Sequence, residues 1–66
     1  MTNRIKELRK ERGIRQEDLA MQVGVTRQTI LAIENDKYDP TLQLAMKISE
    51  VFGLSVNEIF FLQQTM

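Results

Sequence analysis

Residues 16–35, QEDLAMQVGVTRQTILAIEN, carry the pattern that decides the fold. Ala20 is small enough for a second helix to pass close to it, and Gly24 permits the positive φ that a tight turn requires. Ile30 and Ile33, three residues apart, then form the inner side of the second helix. The spacing predicts two short helices that are joined by a turn of about three or four residues and cross at a steep angle. The alternative, a generic helical hairpin, needs no such pairing of alanine and glycine.

Outward from this unit, turn-forming residues divide the chain into short segments. These residues are Gly13, Gly24, Asp39, Pro40 and Gly53. Apolar spacing and capping residues predict helices over residues 3–12, 16–23 and 27–35, a fourth that follows residue 41, and a short fifth that follows residue 55. No segment shows the sustained alternation of a strand. We therefore expect an all-α, compact five-helix domain that spans residues 1–66.

The fourth predicted helix begins after Thr41, whose hydroxyl can cap its first turn. We expect its inner side to consist of four apolar residues that recur at helical spacing. They are Leu42, Ala45, Ile48 and Phe52.

The composition excludes several classes of function. The 66 residues contain no cysteine and no histidine, which removes disulfides, thiolate metal sites and the commonest general base near neutral pH. So short a chain has little room for a water-excluding cleft, so we expect no enzyme, no cofactor, no metal site and no small-molecule ligand. Because no apolar run approaches the ~20 residues of a membrane span and the start lacks a signal-peptide core, we expect a cytosolic protein without membrane contact.

The charge is zero overall but unevenly distributed. Nine basic residues balance nine acidic ones, which argues mildly against a nucleic-acid partner because such domains are usually basic. Residues 1–15 nevertheless hold six basic and two acidic residues, a net charge of +4, whereas residues 38–66 have a net charge of −2. The basic start is either a surface that faces phosphates or an ordinary solvated helix face.

Four different motifs follow one another along the chain, and their spacings are mutually consistent. They are Gln16-x-x-Leu19-Ala20, Gly24-Val25-Thr26-Arg27-Gln28-Thr29-Ile30, Ile33-Glu34-Asn35 and Pro40-Thr41-Leu42. Together they resemble the phage-repressor family, the Cro and lambda-repressor-like helix-turn-helix proteins. The small stand-alone prokaryotic repressors of the cytolysin-regulator type are similar to this chain around Arg27-Gln28-Thr29-Ile30, Lys37-Tyr38 and Leu42-Gln43-Leu44-Ala45. The resemblance covers residues 4–60 and implies a transcriptional regulator that binds operator sites in double-stranded DNA as a homodimer. The alternative is a protein-interaction module with the same fold, such as an antitoxin or a co-regulator.

The outward side of the third predicted helix carries both polar and apolar residues. With its two isoleucines set inward at ~100° per residue, the outward residues are Arg27 at the margin, Gln28, Leu31, Ala32 and Asn35. Such a surface suits the major groove, where glutamine pairs with adenine, arginine with guanine, and apolar groups touch thymine methyls. We expect base contacts from Arg27, Gln28, Leu31 and Ala32. The alternatives are a solvated Gln28, a stray surface Leu31 and a phosphate contact from Arg27.

A second set of polar residues is expected to contact phosphates or to brace the base-reading side chains. They are Gln16, Thr26, Asn35, Lys37 and Tyr38. In the resembled family, the glutamine at the position of Gln16 clamps a phosphate and braces a side chain of the recognition helix; helix N-termini attract phosphate in any case. Lys37 stands where relatives often carry a phosphate-binding cation. Tyr38 either covers the fourth helix or donates to a phosphate.

Two positions depart from the usual local rules. Arg15 precedes the second helix, where relatives have a capping serine or asparagine, and arginine has no acceptor with which to cap. We expect either a tighter turn at Gly13-Ile14 or a slightly frayed helix. Asp36 stands where relatives often have glycine, so its backbone is expected in the left-handed conformation.

Glu34 lies at the C-terminal end of its predicted helix, where the helix dipole disfavours a negative charge. The resembled family pairs this glutamate with an arginine of the first helix, and Arg9 occupies the matching place. We expect a structural ion pair between the first and third helices, and no DNA contact from either residue.

The tail from residue 61 to residue 66 is unusually apolar for a terminus. A domain this small cannot bury Phe61, Leu62 and Met66 together. Either the end frays and leaves apolar surface in water, or these three residues contact the second subunit of a dimer, which we expect.

Overall fold

The computed structural model describes residues 1–62, and its helices follow the predicted order. The elements are β1 (Thr2–Asn3), α1 (Ile5–Arg12), α2 (Gln16–Val23), α3 (Arg27–Glu34), α4 (Leu42–Phe52), α5 (Val56–Ile59) and β2 (Phe60–Phe61). The prediction of a five-helix, essentially all-α fold is confirmed. None of the helices within residues 1–62 combines the length and the apolarity needed to cross a membrane.

The turn between α2 and α3 has the predicted conformation. Gly24 has a φ of +76°, and the backbone N–H of Val25 donates to the carbonyl oxygen of Ala20 at 3.0 Å. Thr26 caps α3, since its Oγ1 accepts from the backbone N–H of Thr29 at 3.3 Å. The turn therefore closes onto the end of α2 and fixes the direction in which α3 begins.

All five helices contribute to one hydrophobic core. Its members are Ile5, Leu8, Leu19, Ala20, Val23, Ile30, Ile33, Leu44, Ala45, Ile48, Phe52, Ile59 and Phe60. Ile30 and Ile33 are 0% and 1% exposed, so α3 is anchored through the two residues that the sequence assigned to its inner side. The opposite side of α3 is consequently turned away from the core.

The prediction for Leu42 is wrong. Its side chain is 72% exposed, and Leu44 takes the place in the core that was expected for it. At ~100° per residue, Leu42 lies about 120° around the helix from the fully buried Ile48, whereas Leu44 lies only about 40° away. Thr41 nevertheless caps α4 as predicted, because its Oγ1 accepts from the backbone N–H of Leu44 at 3.2 Å.

A two-stranded antiparallel ribbon joins the start of the chain to the segment after α5. Thr2 pairs with Phe61 and Asn3 pairs with Phe60. Because residues 2 and 3 lie in the ribbon, the first helix begins at Ile5 and not at residue 3 as predicted. Asn3 Oδ1 accepts from the backbone N–H of Ile5 at 3.1 Å. Strands of two residues are too short to show alternation, which is why the sequence did not reveal them.

Carboxylates brace the starts of α2 and α5. Asp18 Oδ2 accepts from the backbone N–H of Arg15 at 3.4 Å and from Arg15 Nε at 3.1 Å, so the start of α2 is held despite the missing capping side chain. At α5, Glu58 Oε1 accepts from the backbone N–H of Ser55 at 2.9 Å. The hydrogen bond from the Arg15 side chain lowers the pKa of Asp18, and that from the Ser55 backbone lowers the pKa of Glu58.

We expect these two carboxylates to give a small acid sensitivity. A carboxyl whose pKa is lower in the folded state contributes stability above its unfolded value of about 4, and this contribution is lost as the pH falls through the folded pKa. Asp18→Asn combined with Glu58→Gln should therefore lower the urea midpoint at pH 7 but not at pH 2, by a small amount because solvent screens both groups. Glu50→Gln is the control for loss of an exposed charge. If the double variant lowered the urea midpoint equally at both pH values, ionisation of the two carboxylates would not be the source of the stability.

Candidate nucleic-acid interface

The solvent side of α3 is open. Arg27, Gln28 and Asn35 are exposed, Leu31 is 42% exposed, and Ala32 is half-buried. Because the isoleucines on the opposite side are fixed in the core, this surface is presented by a rigid element. The structure therefore brings every predicted base-contacting residue to one side of α3, with Ala32 set deeper than the others.

The last residue of α3, Glu34, carries a buried carboxylate. The Glu34 side chain is 1% exposed; Arg9 Nε donates to its Oε2 at 2.6 Å and Arg9 Nη2 to its Oε1 at 3.2 Å. Arg9 Nη1 donates to the carbonyl oxygen of Ile14 at 3.0 Å. Arg9 and Glu34 thus form a bidentate ion pair that connects α1 to α3. Arg9 also connects α1 to the loop before α2.

Gln16 connects this pair to the exposed surface. Its Nε2 donates to Glu34 Oε1 at 3.1 Å, while its Oε1 accepts from Arg27 Nε at 3.2 Å. The first residue of α2 therefore contacts both the last and the first residue of α3. Gln16, which was expected to brace a side chain of the third helix, contacts Arg27 there.

The chain leaves α3 through a sharply turned segment. Asn35 ends the helix, and Asp36 has a φ of +59°, so the predicted left-handed backbone at Asp36 is confirmed. Asn3 Nδ2 donates to the carbonyl oxygen of Ile33 at 2.8 Å, which fixes this end of α3 to the ribbon. Lys37 follows with an exposed side chain beyond a well-held helix end.

Tyr38 lines an open groove between the α2–α3 turn and the start of α4. Its side chain is 45% exposed, and the groove is also lined by Thr29, Gln43 and Lys47. Lys47 was not among the predicted site residues, although its helical spacing from Gln43 places both residues on one side of α4. Lys47 thus adds a cation to the groove in which Tyr38 lies.

The basic start of the chain is not a single free patch. Arg4 Nη2 lies 2.8 Å from Glu7 Oε2, Arg15 contacts Asp18, and Arg9 is buried against Glu34. The other basic side chains of residues 1–15 make no ion pair with any residue in the range 1–62. They are Lys6, Lys10 and Arg12. The guanidinium of Arg12 lies over the ring of Phe52, 5.3 Å from its centroid.

Apolar side chains extend beyond the ribbon. Phe60 is 6% exposed and belongs to the core, whereas Phe61 is 40% and Leu62 83% exposed. Met66, the third expected dimer contact, lies outside the described residues. Phe61 and Leu62 therefore form an apolar surface that the described chain does not cover.

Comparison with known proteins agrees with this geometry. The profile of the helix-turn-helix family matches residues 5–59 and so includes all five helices. The chain belongs to the lambda-repressor-like helix-turn-helix family. This helix-turn-helix family is a class of DNA-binding transcription regulators and not a class of enzymes.

Relatives of similar length occur in archaea and bacteria. An uncharacterized HTH-type transcriptional regulator of Methanocaldococcus jannaschii is 52% identical over 60 residues, which cover 91% of each chain. The uncharacterized HTH-type transcriptional regulator YgzD of Bacillus subtilis is 47% identical over 64 residues, or 97% of each chain. The crystal structure of the restriction-modification controller protein C.AhdI from Aeromonas hydrophila superposes with a TM-score of 0.79 at 28% identity, covering 86% of each chain.

Proposed function

We propose that this helix-turn-helix protein is a sequence-specific transcriptional repressor that binds an inverted-repeat operator in double-stranded DNA as a homodimer. Its general class, DNA-binding transcriptional regulation, follows from the family to which it belongs. The observation that supports the finer proposal is the open side of α3, where Arg27, Gln28 and Leu31 stand on a helix anchored in the core. We place the protein in the prokaryotic cytosol, where operator DNA lies, and treat residues 1–66 as one domain.

The side chains on α3 have the chemistry of major-groove recognition. A glutamine amide matches the N6 donor and N7 acceptor of adenine, a guanidinium matches two acceptors of guanine, and leucine suits a thymine methyl. We assign these roles to Gln28, Arg27 and Leu31, with Ala32 close to the base edges. Gln16, Thr26, Asn35, Lys37 and Tyr38 then lie at the two ends of α3 and beyond it, where the phosphates would pass.

Dimerisation is proposed through the exposed Phe61 and Leu62, together with Met66. Burying this surface removes apolar area from water and adds stability to a domain too small to be very stable alone. Two-fold symmetry in the protein requires two-fold symmetry in the operator, with half-site centres about 34–36 Å apart, one turn of B-form DNA.

We expect the chain to sediment at about twice its mass of 7.7 kDa at micromolar concentration. Phe61→Ser with Leu62→Ser should shift it to the monomer, because the substitution removes the apolar surface proposed to be shared. Met21→Ser, which removes a methionine that is 78% exposed on α2, is the matched control and should leave the dimer intact. A wild-type monomer that binds a palindromic site tightly without dimerising on it would contradict the proposal.

Replacing Gln28 with alanine is expected to relax base choice at one position of each half-site. A good bidentate contact discriminates by ~1–3 kcal/mol, and a symmetric dimer loses two of them. Selection of bound duplexes from a random double-stranded library, followed by gel shifts on the selected site, measures both preference and affinity. Gln22→Ala, an exposed glutamine of α2, is the control. An unchanged preference in Gln28→Ala would show that its amide is merely solvated.

The second candidate function is a protein-interaction module that uses the same fold. It is favoured by the exposure of large apolar side chains on α2 and α4 within the described residues. Met21 is 78%, Leu42 72% and Met46 52% exposed. Failure of the wild-type dimer to enrich any duplex from the random library at low salt would favour this function.

A further inference from the structure

The end of α3 differs from the ends of α1, α2 and α4. After each of these four helices one residue has a left-handed backbone, and the N–H of the next residue donates to a carbonyl oxygen five residues earlier. After α3 the left-handed residue is Asp36, with a φ of +59°, whereas after the other three it is a glycine, namely Gly13, Gly24 and Gly53. A side chain makes this conformation costly, although aspartate tolerates it better than most residues do. The end of α3 is therefore the one of the four that gains from outside support.

The side chain of Asn3 supports this end of α3 from the ribbon. Its Nδ2 donates to the carbonyl oxygen of Ile33 at 2.8 Å and lies 3.5 Å from Asp36 Oδ1. The same carbonyl oxygen accepts from the backbone N–H of Asp36 at 3.1 Å, so the Asn3 amide joins the hydrogen bonds that form the turn. Asn3 thus contacts both the last turn of α3 and the left-handed residue that follows it.

Asn3 is itself held in place. Its backbone pairs with Phe60, which is buried, and its Oδ1 accepts from the backbone N–H of Ile5 at 3.1 Å. Because the amide oxygen faces this N–H at the start of α1, the amide nitrogen, which carries the donors, faces α3. The support is therefore fixed by the ribbon and by α1, and it comes from outside the helix-turn-helix unit of residues 16–35.

We propose that Asn3 is a positioning residue for DNA binding: it holds the left-handed turn after α3 and so fixes the backbone from which Lys37 reaches a phosphate. The N–H of Lys37 donates to the carbonyl oxygen of Ala32 at 2.9 Å and closes the turn, so the conformation of Asp36 decides where the Lys37 side chain begins. A fixed starting point reduces the conformational freedom that this flexible side chain loses on binding. This inference rests on the proposed function, in which Lys37 contacts a phosphate.

A purely structural role for Asn3 predicts different results. If its hydrogen bonds only stabilise the fold, loss of the amide acts independently of Lys37, and glycine at position 36 gives no special rescue. If Asn3 holds the turn for Lys37, its effect on binding disappears once Lys37 is lost, or once the turn no longer needs support. Combined substitutions separate the two roles, because residues that act through one another are not additive.

The first test measures the turn without DNA, by amide hydrogen exchange. In Asn3→Ala, the N–H of Lys37 should exchange about 2- to 12-fold faster than in the wild type, the factor that corresponds to one neutral hydrogen bond. The N–H of Leu54, at the corresponding place after α4, should exchange as in the wild type. In the Asp36→Gly background, Asn3→Ala should no longer change the exchange of Lys37, because glycine adopts the left-handed conformation without support. Asn57→Ala, which removes an exposed asparagine of α5, is the matched control.

The second test measures affinity for the operator that the wild type selects, by fluorescence anisotropy at low salt. Asn3→Ala should weaken binding by about fourfold or more, at least about twofold for each subunit of the dimer, and by no more than Lys37→Ala does. Adding Asn3→Ala to Lys37→Ala should have almost no further effect, and in the Asp36→Gly background its effect should likewise be small. Sedimentation and thermal melts verify that each variant is dimeric and folded.

Salt dependence and base preference give a further readout of Asn3→Ala. The slope of log affinity against log salt should become shallower than that of the wild type, in the direction of Lys37→Ala, because a phosphate contact is weakened. Selection from the random library should return the wild-type base preferences, since phosphate contacts carry no direct sequence information.

The outcomes separate the inference from the function on which it rests. Unchanged exchange at Lys37, equal acceleration at Lys37 and Leu54, or equal weakening of DNA binding by Asn3→Ala with and without Lys37 would each overturn the positioning role. Failure of the wild type to enrich any duplex would instead overturn the proposed function and leave Asn3 as a support of the turn alone. Should Asn3→Ala not fold, recovery of folding and of DNA binding in Asn3→Ala/Asp36→Gly supports the positioning role, and the lack of such recovery overturns it.

Discussion

Replacing Glu34 with alanine is expected to lower the free energy of unfolding by about 3–5 kcal/mol, the cost of removing one partner of a buried ion pair. Arg9 is 8% exposed, so its charge would remain inside the protein without a counter-ion. Chains of this size have total stabilities of about 3–10 kcal/mol at ~0.05–0.15 kcal/mol per residue. Much of the protein should therefore be unfolded at 37 °C. A urea titration at pH 7, followed by circular dichroism, would measure the loss in the free energy of unfolding.

The control for this prediction removes both charges. Arg9→Met combined with Glu34→Leu should be far less destabilising than Glu34→Ala, because apolar residues of similar volume often replace a buried pair at little cost. Glu50→Ala, an exposed glutamate of α4, should change stability by no more than about 0.5 kcal/mol. If Glu34→Ala were as mild as Glu50→Ala, the buried pair would contribute nothing to folding.

Structural features that depend only on a few neighbouring residues could be predicted from the sequence. The positive φ of Gly24 and the cap at Thr41 could be predicted because each rule depends on local geometry alone. The left-handed backbone of Asp36 was implied by the family resemblance. Helix order and the inner residues of α3 followed from apolar spacing. These local rules suffice for an α-helical domain whose elements are joined by short turns.

Features that depend on distant parts of the chain could not be predicted in this way. The ribbon pairs the two ends of the described chain, and Asn3 reaches the carbonyl oxygen of Ile33, thirty residues away. Leu42 and Leu44 are both apolar and only two residues apart, so only the packing of α4 against the other helices chooses between them. The contact of Gln16 with both Glu34 and Arg27 likewise requires that the two ends of α3 flank one side chain.

The number of basic side chains that are free to meet DNA also depends on contacts that form only in the folded chain. The sequence places six basic residues in positions 1–15, but the structure pairs three of them with carboxylates, two local and one on α3. Arg9 is buried against Glu34 and is therefore withdrawn from any other partner. The cations left to meet phosphates are therefore fewer than the sequence suggests, and Lys37 and Lys47 gain in importance.

Raising the salt concentration from about 50 to 200 mM is expected to weaken operator binding roughly a thousandfold. A dimer that neutralises about six phosphates gives a slope of log affinity against log salt near −5, since each contact contributes about −0.9. The zero net charge does not oppose this result, because charges farther away than a Debye length of ~8–10 Å are screened. Fluorescence anisotropy on the selected operator at five salt concentrations measures the slope.

Lys37→Ala should make this slope shallower by about 1.8, because a dimer loses two phosphate contacts of about 0.9 each, while the base preferences stay the same. Arg4→Gln is the matched control. Arg4 lies 2.8 Å from Glu7, so its charge is already balanced within the chain and its loss should change the slope by much less than one. A slope near zero for the wild type would remove phosphate contact from the proposed function. Equal changes in Lys37→Ala and Arg4→Gln would show that total charge, and not the exposed lysine beyond α3, governs the attraction to DNA.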